Sequence, residues 1–340
     1  MTRALEPSLL GPDLWAHLLE RVAVPAWHYL ADGDEVPEGH VAPRTLLPGA
    51  LDEPVLLVRE GGLHALPNVC THRANLLATA DGPARALRCG YHGRRFDLRG
   101  TCLGSPGFPD IEDQDHLRPI AAEALGPMVF VRLAAGPDTA IAEVRARLTG
   151  LPLDRARRVG ERVFEVRAHF LTWAENYGEG LHIPFVHPGL ARTLDLARYR
   201  TRSTPWGTVQ VGLGARGEPT VPLPPDHPDR AAPDEPIAGY YLWIHPCTAL
   251  NVYPWGVSLN AVQPVTHETC RVVYRFYAWD PDGMQRGAGA DLYTVEAEDD
   301  AVIERVARGV RSRMYRPGRL APGQEDGVAA LGDWVRARLL

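Results

Sequence analysis

The chain has 340 residues, 45% of them hydrophobic and 23% charged, and a formal net charge of -6. That length exceeds what one hydrophobic core usually organises, so more than one domain is expected, and the acidic balance leaves no basic footprint for nucleic acid. The sequence contains no lysine, which excludes Schiff-base catalysis and a phosphate-loop lysine.

Leu14, Trp15, Leu18, Leu19 and Val22 recur at helical spacing and predict an opening helix over Pro12 to Val22. No charged-then-apolar leader precedes it, and no run approaches the ~20 apolar residues of a membrane span. From about Pro54 the texture changes to short apolar runs broken by Gly, Pro and Asp, such as Val55 to Val58 and Met128 to Val131. This predicts a small, mostly antiparallel β domain reaching about Leu133.

Inside that domain lie Cys70-Thr71-His72 and Cys89-Gly90-Tyr91-His92, a C-x-H-x16-C-x2-H pattern. A zinc finger normally places two cysteines first and two histidines second. Here each pair mixes one thiolate with one imidazole. That division suits a two-iron, two-sulfide cluster with both cysteines on one iron and both histidines on the other. Zinc or structural cysteines are the alternative to the cluster, and in function a plain electron carrier using the cluster or a zinc-bound scaffold competes with an enzyme. The cysteine total is five, an odd number that argues against a disulfide framework and for a cytoplasmic, reducing setting. Cys102, Cys247 and Cys270 read as small buried residues.

Beyond Leu133, Asp138 to Leu148 predicts an amphipathic helix with Asp138 as its cap. Val163 to Trp173 reads as a strand that runs into Glu175 to His187, where two carboxylates, an amide and two imidazoles crowd into one segment. His182 and His187 would sit roughly 140° apart on a helix. Pro184 disfavours helix at Ile183, so the backbone is expected to turn between them. Arg216 to Pro236 reads as an irregular surface loop. Four strand-like runs follow between Gly239 and Trp279, predicting an α+β domain whose sheet curves around a cavity. Tyr240, Tyr241, Trp243, Tyr253, Trp255 and Tyr277 fall in this region, either as packing or as a cage for a quaternary ammonium group. The next helix, Asp291 to Tyr315, has an apolar stripe of Val302, Ile303, Val306 and Val310. Asp299 shares that stripe, while Asp300 aligns with Glu304 and Arg311 on a polar face. A carboxylate on an apolar stripe is costly unless paired or coordinated. Asp299 would complete a two-histidine, one-carboxylate set with His182 and His187, the arrangement of non-haem ferrous oxygen-activating sites. A cap or salt bridge is the bland alternative, and Glu296, one turn earlier, is the reserve ligand. Gly323 to Leu339 closes the chain as another amphipathic segment.

Cys70-Thr71-His72-Arg73 and Cys89-Gly90-Tyr91-His92-Gly93-Arg94 resemble the two halves of a Rieske motif, with Ala74, Gly90 and Arg94 where glycine, proline and tryptophan are frequent. Glu179-x-x-His182-x4-His187, preceded by Asn176 and followed much later by Glu298-Asp299, resembles the catalytic domain of Rieske non-haem iron oxygenases, in texture the choline- and betaine-type branch. The resemblance implies a Rieske [2Fe-2S] domain (26–134) inserted in a helix-grip catalytic domain (135–340), against which residues 1–25 pack. It further implies Cys70, His72, Cys89 and His92 as cluster ligands, and His182, His187 and Asp299 as ligands of mononuclear Fe(II). Asn176 would sit close to that iron. Oxygen would be the co-substrate. Electrons would come from NAD(P)H through a flavin reductase, with or without a ferredoxin, to hydroxylate, dihydroxylate or demethylate an aromatic compound or a methylated amine. A homotrimer is implied too, in which Glu179 bridges its own His182 to His92 of the partner subunit. No nucleic acid or membrane partner is expected.

Overall fold

The computed structural model describes residues 3–136 and 138–339. It divides into two compact units, Met1–Ala26 with Pro137–Leu340, and Trp27–Gly136, so the second is an insertion in the first.

The inserted unit is built from short antiparallel strands. β1 (His28–Asp32), β2 (His40–Leu46), β3 (Glu53–Arg59) and β4 (Leu63–Pro67) are followed by the two- and three-residue strands β5 (Gly82–Pro83), β6 (Leu87–Arg88), β7 (Arg95–Phe96) and β8 (Cys102–Gly104). β9 (Ala121–Leu125) and β10 (Met128–Arg132) close it. They form three sheets, β4-β3-β2-β5, β1-β10-β9 and β6-β7-β8. Leu56, Val58, Leu66, Phe96 and Leu98 make a core that also takes in Cys70 and Cys89.

In the other unit, α1 (Pro12–Leu18) runs on through a wider turn to Ala23. After α2 (Ala140–Arg147) come β11 (Arg157–Val166), α3 (Phe170–Tyr177), the single turn α4 (Ile183–Val186) and α5 (Pro188–Thr193). β12 (Arg200–Thr204), β13 (Gly207–Leu213), β14 (Ile237–Ile244), β15 (Thr248–Tyr253), β16 (Gly256–Thr266) and β17 (Thr269–Ala278) then join β11 in a seven-stranded antiparallel sheet, ordered β11-β17-β16-β15-β14-β13-β12. The helices α6 (Leu292–Gly309) and α7 (Asp326–Leu339) follow, and both pack on α3. Every residue of β14 and β15 is buried, as expected for strands covered on both faces. Leu5, Leu10, Leu18 and Val22 join the core of this unit, and the backbone N–H of Leu5 donates to Glu175 at 2.8 Å. A Cβ on Gly327 would fall 2.1 Å from the Gly178 carbonyl oxygen, so only glycine lets α7 close on the end of α3.

Several local expectations change. The strand ends at Val166, and Phe170 to Tyr177 is helix, capped by His169 accepting from the Leu171 N–H. The cap of α2 is Thr139, although the Asp138 carboxylate still accepts from Ala140 N–H at 2.9 Å. α6 ends at Gly309, with Val306 exposed and Ile303 and Ala307 buried. Residues 215–236 form no helix or strand, yet Val221, Leu223, His227 and Asp229 are buried in that loop. Cys102, Cys247 and Cys270 are buried.

Candidate metal centres and substrate cavity

Two loops of the inserted unit close in the same way. Cys70 N–H donates to Asn75 C=O at 2.9 Å and Ala74 N–H to Cys70 C=O at 3.0 Å. In the other loop, Cys89 N–H donates to Arg94 C=O at 2.8 Å and Gly93 N–H to Cys89 C=O at 3.0 Å. The equivalent fifth residues, Ala74 and Gly93, are both left-handed, at φ 55° and 77°. Each loop aims two amides at its own sulfur, from His72 and Arg73 at Cys70 and from Tyr91 and His92 at Cys89. Burial pushes the Cys70 thiol up despite those amides. At Cys89 the amides of Tyr91 and His92, with Cys70 and Asn75, outweigh burial and hold the thiol below its ordinary value.

The thiols are buried, His72 is half-buried and His92 is exposed, with the two imidazole centroids 4.6 Å apart. Sulfur therefore lies on the inside and nitrogen on the outside. The four donors also do not converge as a tetrahedral zinc site requires. Among the described residues, the one set of three or more such side chains with donors all within 4.8 Å of one another is His182, His187 and Asp299. Buried sulfur, outer nitrogen and amides directed at sulfur fit a two-iron cluster split between a cysteine iron and a histidine iron. Arg94 clamps the loops together. It is 2% exposed and donates to Thr71 Oγ1 at 2.9 Å, Asp115 Oδ1 at 2.7 Å and Ser105 Oγ at 3.0 Å.

The second centre sits at the ends of α4. Its single helical turn replaces the expected non-helical bend, because Pro184 occupies the first turn, where its missing N–H is not needed. His182 precedes that turn and His187 ends it, with ring centroids 5.2 Å apart. Their Nε2 atoms lie 3.5 Å and 3.1 Å from the same Asp299 Oδ1 on α6. Each Nδ1 faces another carboxylate, Glu179 at 2.5 Å for His182 and Glu298 at 2.7 Å for His187. With Nδ1–H given to those acids, both Nε2 lone pairs and the Asp299 oxygen point at one spot, which repels unless a cation sits there. Burial pulls the His187 pKa down, but Asp299 and Glu298 outweigh it and raise the value. Asn176, on α3, donates to Asp299 Oδ1 at 2.7 Å.

A cavity of about 80 Å³ opens onto these three donors. Of the six strand aromatics that could either pack or form a cage, Tyr241 and Tyr253 line it. The other four do not. Tyr240 lies on the opposite side of β14 and donates to Asp229, Trp255 donates to Gly289 C=O, and Trp243 and Tyr277 are core. Trp173, Tyr177, Tyr199 and Tyr274 complete the aromatic wall. Alternation along a strand separates Tyr241 from Tyr240. Glu296 also lines the cavity; it is 2% exposed, and burial first, then the charges of Asp300 and Asp299, raise its carboxyl far above the ordinary range. It stands outside the three-donor set. Asp300 leaves the expected polar face and is half-buried, its carboxyl pushed up to about 7 chiefly by burial.

The catalytic-domain model of the ring-hydroxylating alpha subunit matches residues 153–340, more than half of the chain, and the Rieske [2Fe-2S] domain model matches 26–115. The chain belongs to the ring-hydroxylating oxygenase alpha-subunit family. It is 26% identical to chloroplastic choline monooxygenase of Spinacia oleracea, over 96% of this chain and 76% of that protein. It is likewise 26% identical to the carnitine monooxygenase oxygenase subunit of Escherichia coli (strain K12), over 94% and 88%. Its fold is that of the quaternary ammonium Rieske monooxygenase CntA solved with L-carnitine (TM-score 0.76, 22% identity, covering 99% of this chain and 96% of that one). Naphthalene 1,2-dioxygenase from Rhodococcus sp. is similar as well (TM-score 0.70, 16% identity, 99% and 94%). This alpha subunit is therefore the terminal component of a Rieske-type non-haem iron oxygenase, with a [2Fe-2S] cluster and a mononuclear iron as cofactors. The electron-carrier and scaffold alternatives fall away. No helix among the described residues is long and apolar enough to cross a membrane.

Proposed function

We propose that this alpha subunit oxidises a small methylated ammonium compound at a methyl group next to nitrogen. The observation that supports this reading is the cavity: aromatic rings wall it, Glu179, Glu296 and Asp299 line it, and among the described residues no arginine does. Aromatic faces and carboxylates favour a cation, and a cation over ring faces gains ~0.5–2 kcal/mol. The relatives named for choline and carnitine support the same substrate class.

Cys70, His72, Cys89 and His92 hold the cluster in this reading, and His182, His187 and Asp299 hold the iron. Bound iron supplies oxygen activation, and the cluster supplies the second electron. Glu179 and Glu298 fix the tautomers of His182 and His187, so that Nε2 is free to ligate. Asn176 holds Asp299 Oδ1 in place. Hydroxylation beside nitrogen gives a carbinolamine, which releases formaldehyde and the demethylated amine; dioxygen, two electrons and two protons leave one water. The electrons come from NAD(P)H through a separate reductase. The working assembly is a homotrimer in which Glu179 also reaches His92 of the partner subunit.

The test is oxygen consumption with a surrogate reductase across methylated amines and aromatic acids, with formaldehyde measured in parallel. Formaldehyde in step with oxygen from an ammonium compound is expected. Turnover of aromatic acids alone, without formaldehyde, refutes the reading.

A further inference from the structure

Glu296 has no structural employment that accounts for its burial. Its Oε1 has no hydrogen-bond partner, and its Oε2 has only a long 3.5 Å contact from Asn260 Nδ2. Tyr274 and Trp173 face the same carboxyl, and the charged groups around it are the acids Asp299 and Asp300. Among the described residues no arginine lines the cavity, the chain has no lysine, and the lining imidazoles of His182 and His187 turn their Nε2 atoms to Asp299. Burial and the neighbouring acids keep this under-bonded carboxyl neutral while the cavity is empty, and an ammonium cation arriving beside it favours its ionised form. Asp299 and Glu296 are three residues apart on α6, hence neighbours on one helix face. A cation held at Glu296 thus presents its methyl groups to the spot on which His182, His187 and Asp299 converge.

We propose that Glu296 is the specificity-determining residue of this cavity, pairing with the substrate cation so that the site takes a methylated ammonium compound lacking a carboxylate and rejects the zwitterion. A zwitterion's own carboxylate would meet Glu296 and Asp299 and find no arginine among the lining residues. The proposal rests on the methylated-ammonium reading above and sharpens it to one charge class.

Choline, glycine betaine and L-carnitine serve as probes against the reconstituted holoenzyme and its Glu296→Gln variant. Affinity is read by calorimetry, turnover by formaldehyde, and folding by the visible spectrum of the cluster. For the natural sequence, choline should bind at least roughly tenfold more tightly than either zwitterion. In Glu296→Gln, choline affinity should fall about tenfold or more, with the loss in KM rather than kcat and zwitterion binding little changed, so that discrimination collapses. A preference for zwitterions in the unsubstituted enzyme overturns the proposal without any variant. An unchanged choline-to-betaine ratio in Glu296→Gln, with formaldehyde still produced, overturns it while leaving the broader reading standing. Absence of binding and formaldehyde with every ammonium compound overturns both.

Discussion

Glu298 offers the most direct test of how the iron site is held. Its carboxylate accepts from His187 Nδ1 at 2.7 Å, and the ring itself is 2% exposed. Glu298→Ala removes the acceptor that fixes the imidazole's tautomer and rotation. A hydrogen bond to a charged group is worth about 1.5–3 kcal/mol, and loss of such an orienting partner typically costs about 10- to 100-fold in metal affinity. The Glu298 side chain is 31% exposed, so water can replace part of the lost contact and places this variant near the tenfold end. Glu179 is only 11% exposed and also accepts the backbone N–H groups of Leu181 and His182, so Glu179→Ala should lie near the hundredfold end. Anaerobic ferrous titration of iron-depleted protein against a competing chelator measures both, with cluster absorbance as the folding control. Unchanged iron affinity in Glu298→Ala, or a larger loss there than in Glu179→Ala, refutes the reasoning.

Asp299→Ala should abolish formaldehyde production while leaving the cluster spectrum intact, because the two proposed ligand sets share no residue; turnover in that variant would show that the triad is drawn wrongly. Ala74→Gly should stabilise the Rieske unit by about 1 kcal/mol, since alanine at φ 55° bears a left-handed penalty that glycine does not; urea unfolding followed at the cluster band reads this, and a lower midpoint contradicts it. Burial raises the Glu175 carboxyl from 4.5 to about 7. The folded state therefore holds a proton that the unfolded chain releases first, and stability drains away between pH 4.5 and 7 and is flat above. Glu175→Gln keeps an acceptor for Leu5 N–H and should gain up to about 3 kcal/mol at pH 8; matching urea midpoints for variant and parent at pH 8 would count against it.

What could be read in advance divides by distance along the chain. The two Cys/His pairs announce themselves because each is a local loop, and local chemistry leaves a local pattern. His182 and His187 are likewise visible together, although proline at the head of a helix reads much like proline in a bend. In the sequence Glu298 stands out only as the neighbour of Asp299. Its partner His187 lies 111 residues earlier, and nothing in the spacing says which imidazole a given acid will steer. The cavity wall is legible only in part for a similar reason: of the six strand aromatics two line it and four pack elsewhere. Tyr240 and Tyr241 are equally aromatic, and only the strand's orientation turns one toward the site. Periodicity puts Asp300 on a polar face, yet α3 packs against α6 and Asp300 is half-buried. Val306 shows the converse, an apolar position that the packing leaves exposed.

Within four residues of α6, Glu296 faces the cavity, Glu298 holds His187, and Asp299 completes the three donors. One residue of helix is about 100° of rotation, so inserting or deleting a single residue between Asp291 and Glu296 would hand each of these jobs to a neighbour unsuited to it. The loop over 215–236, which forms no helix or strand, can change length at little cost to the chemistry. The first two turns of α6, by contrast, are a fixed-length ruler, and related chains with other substrates should differ there by substitution and never by length.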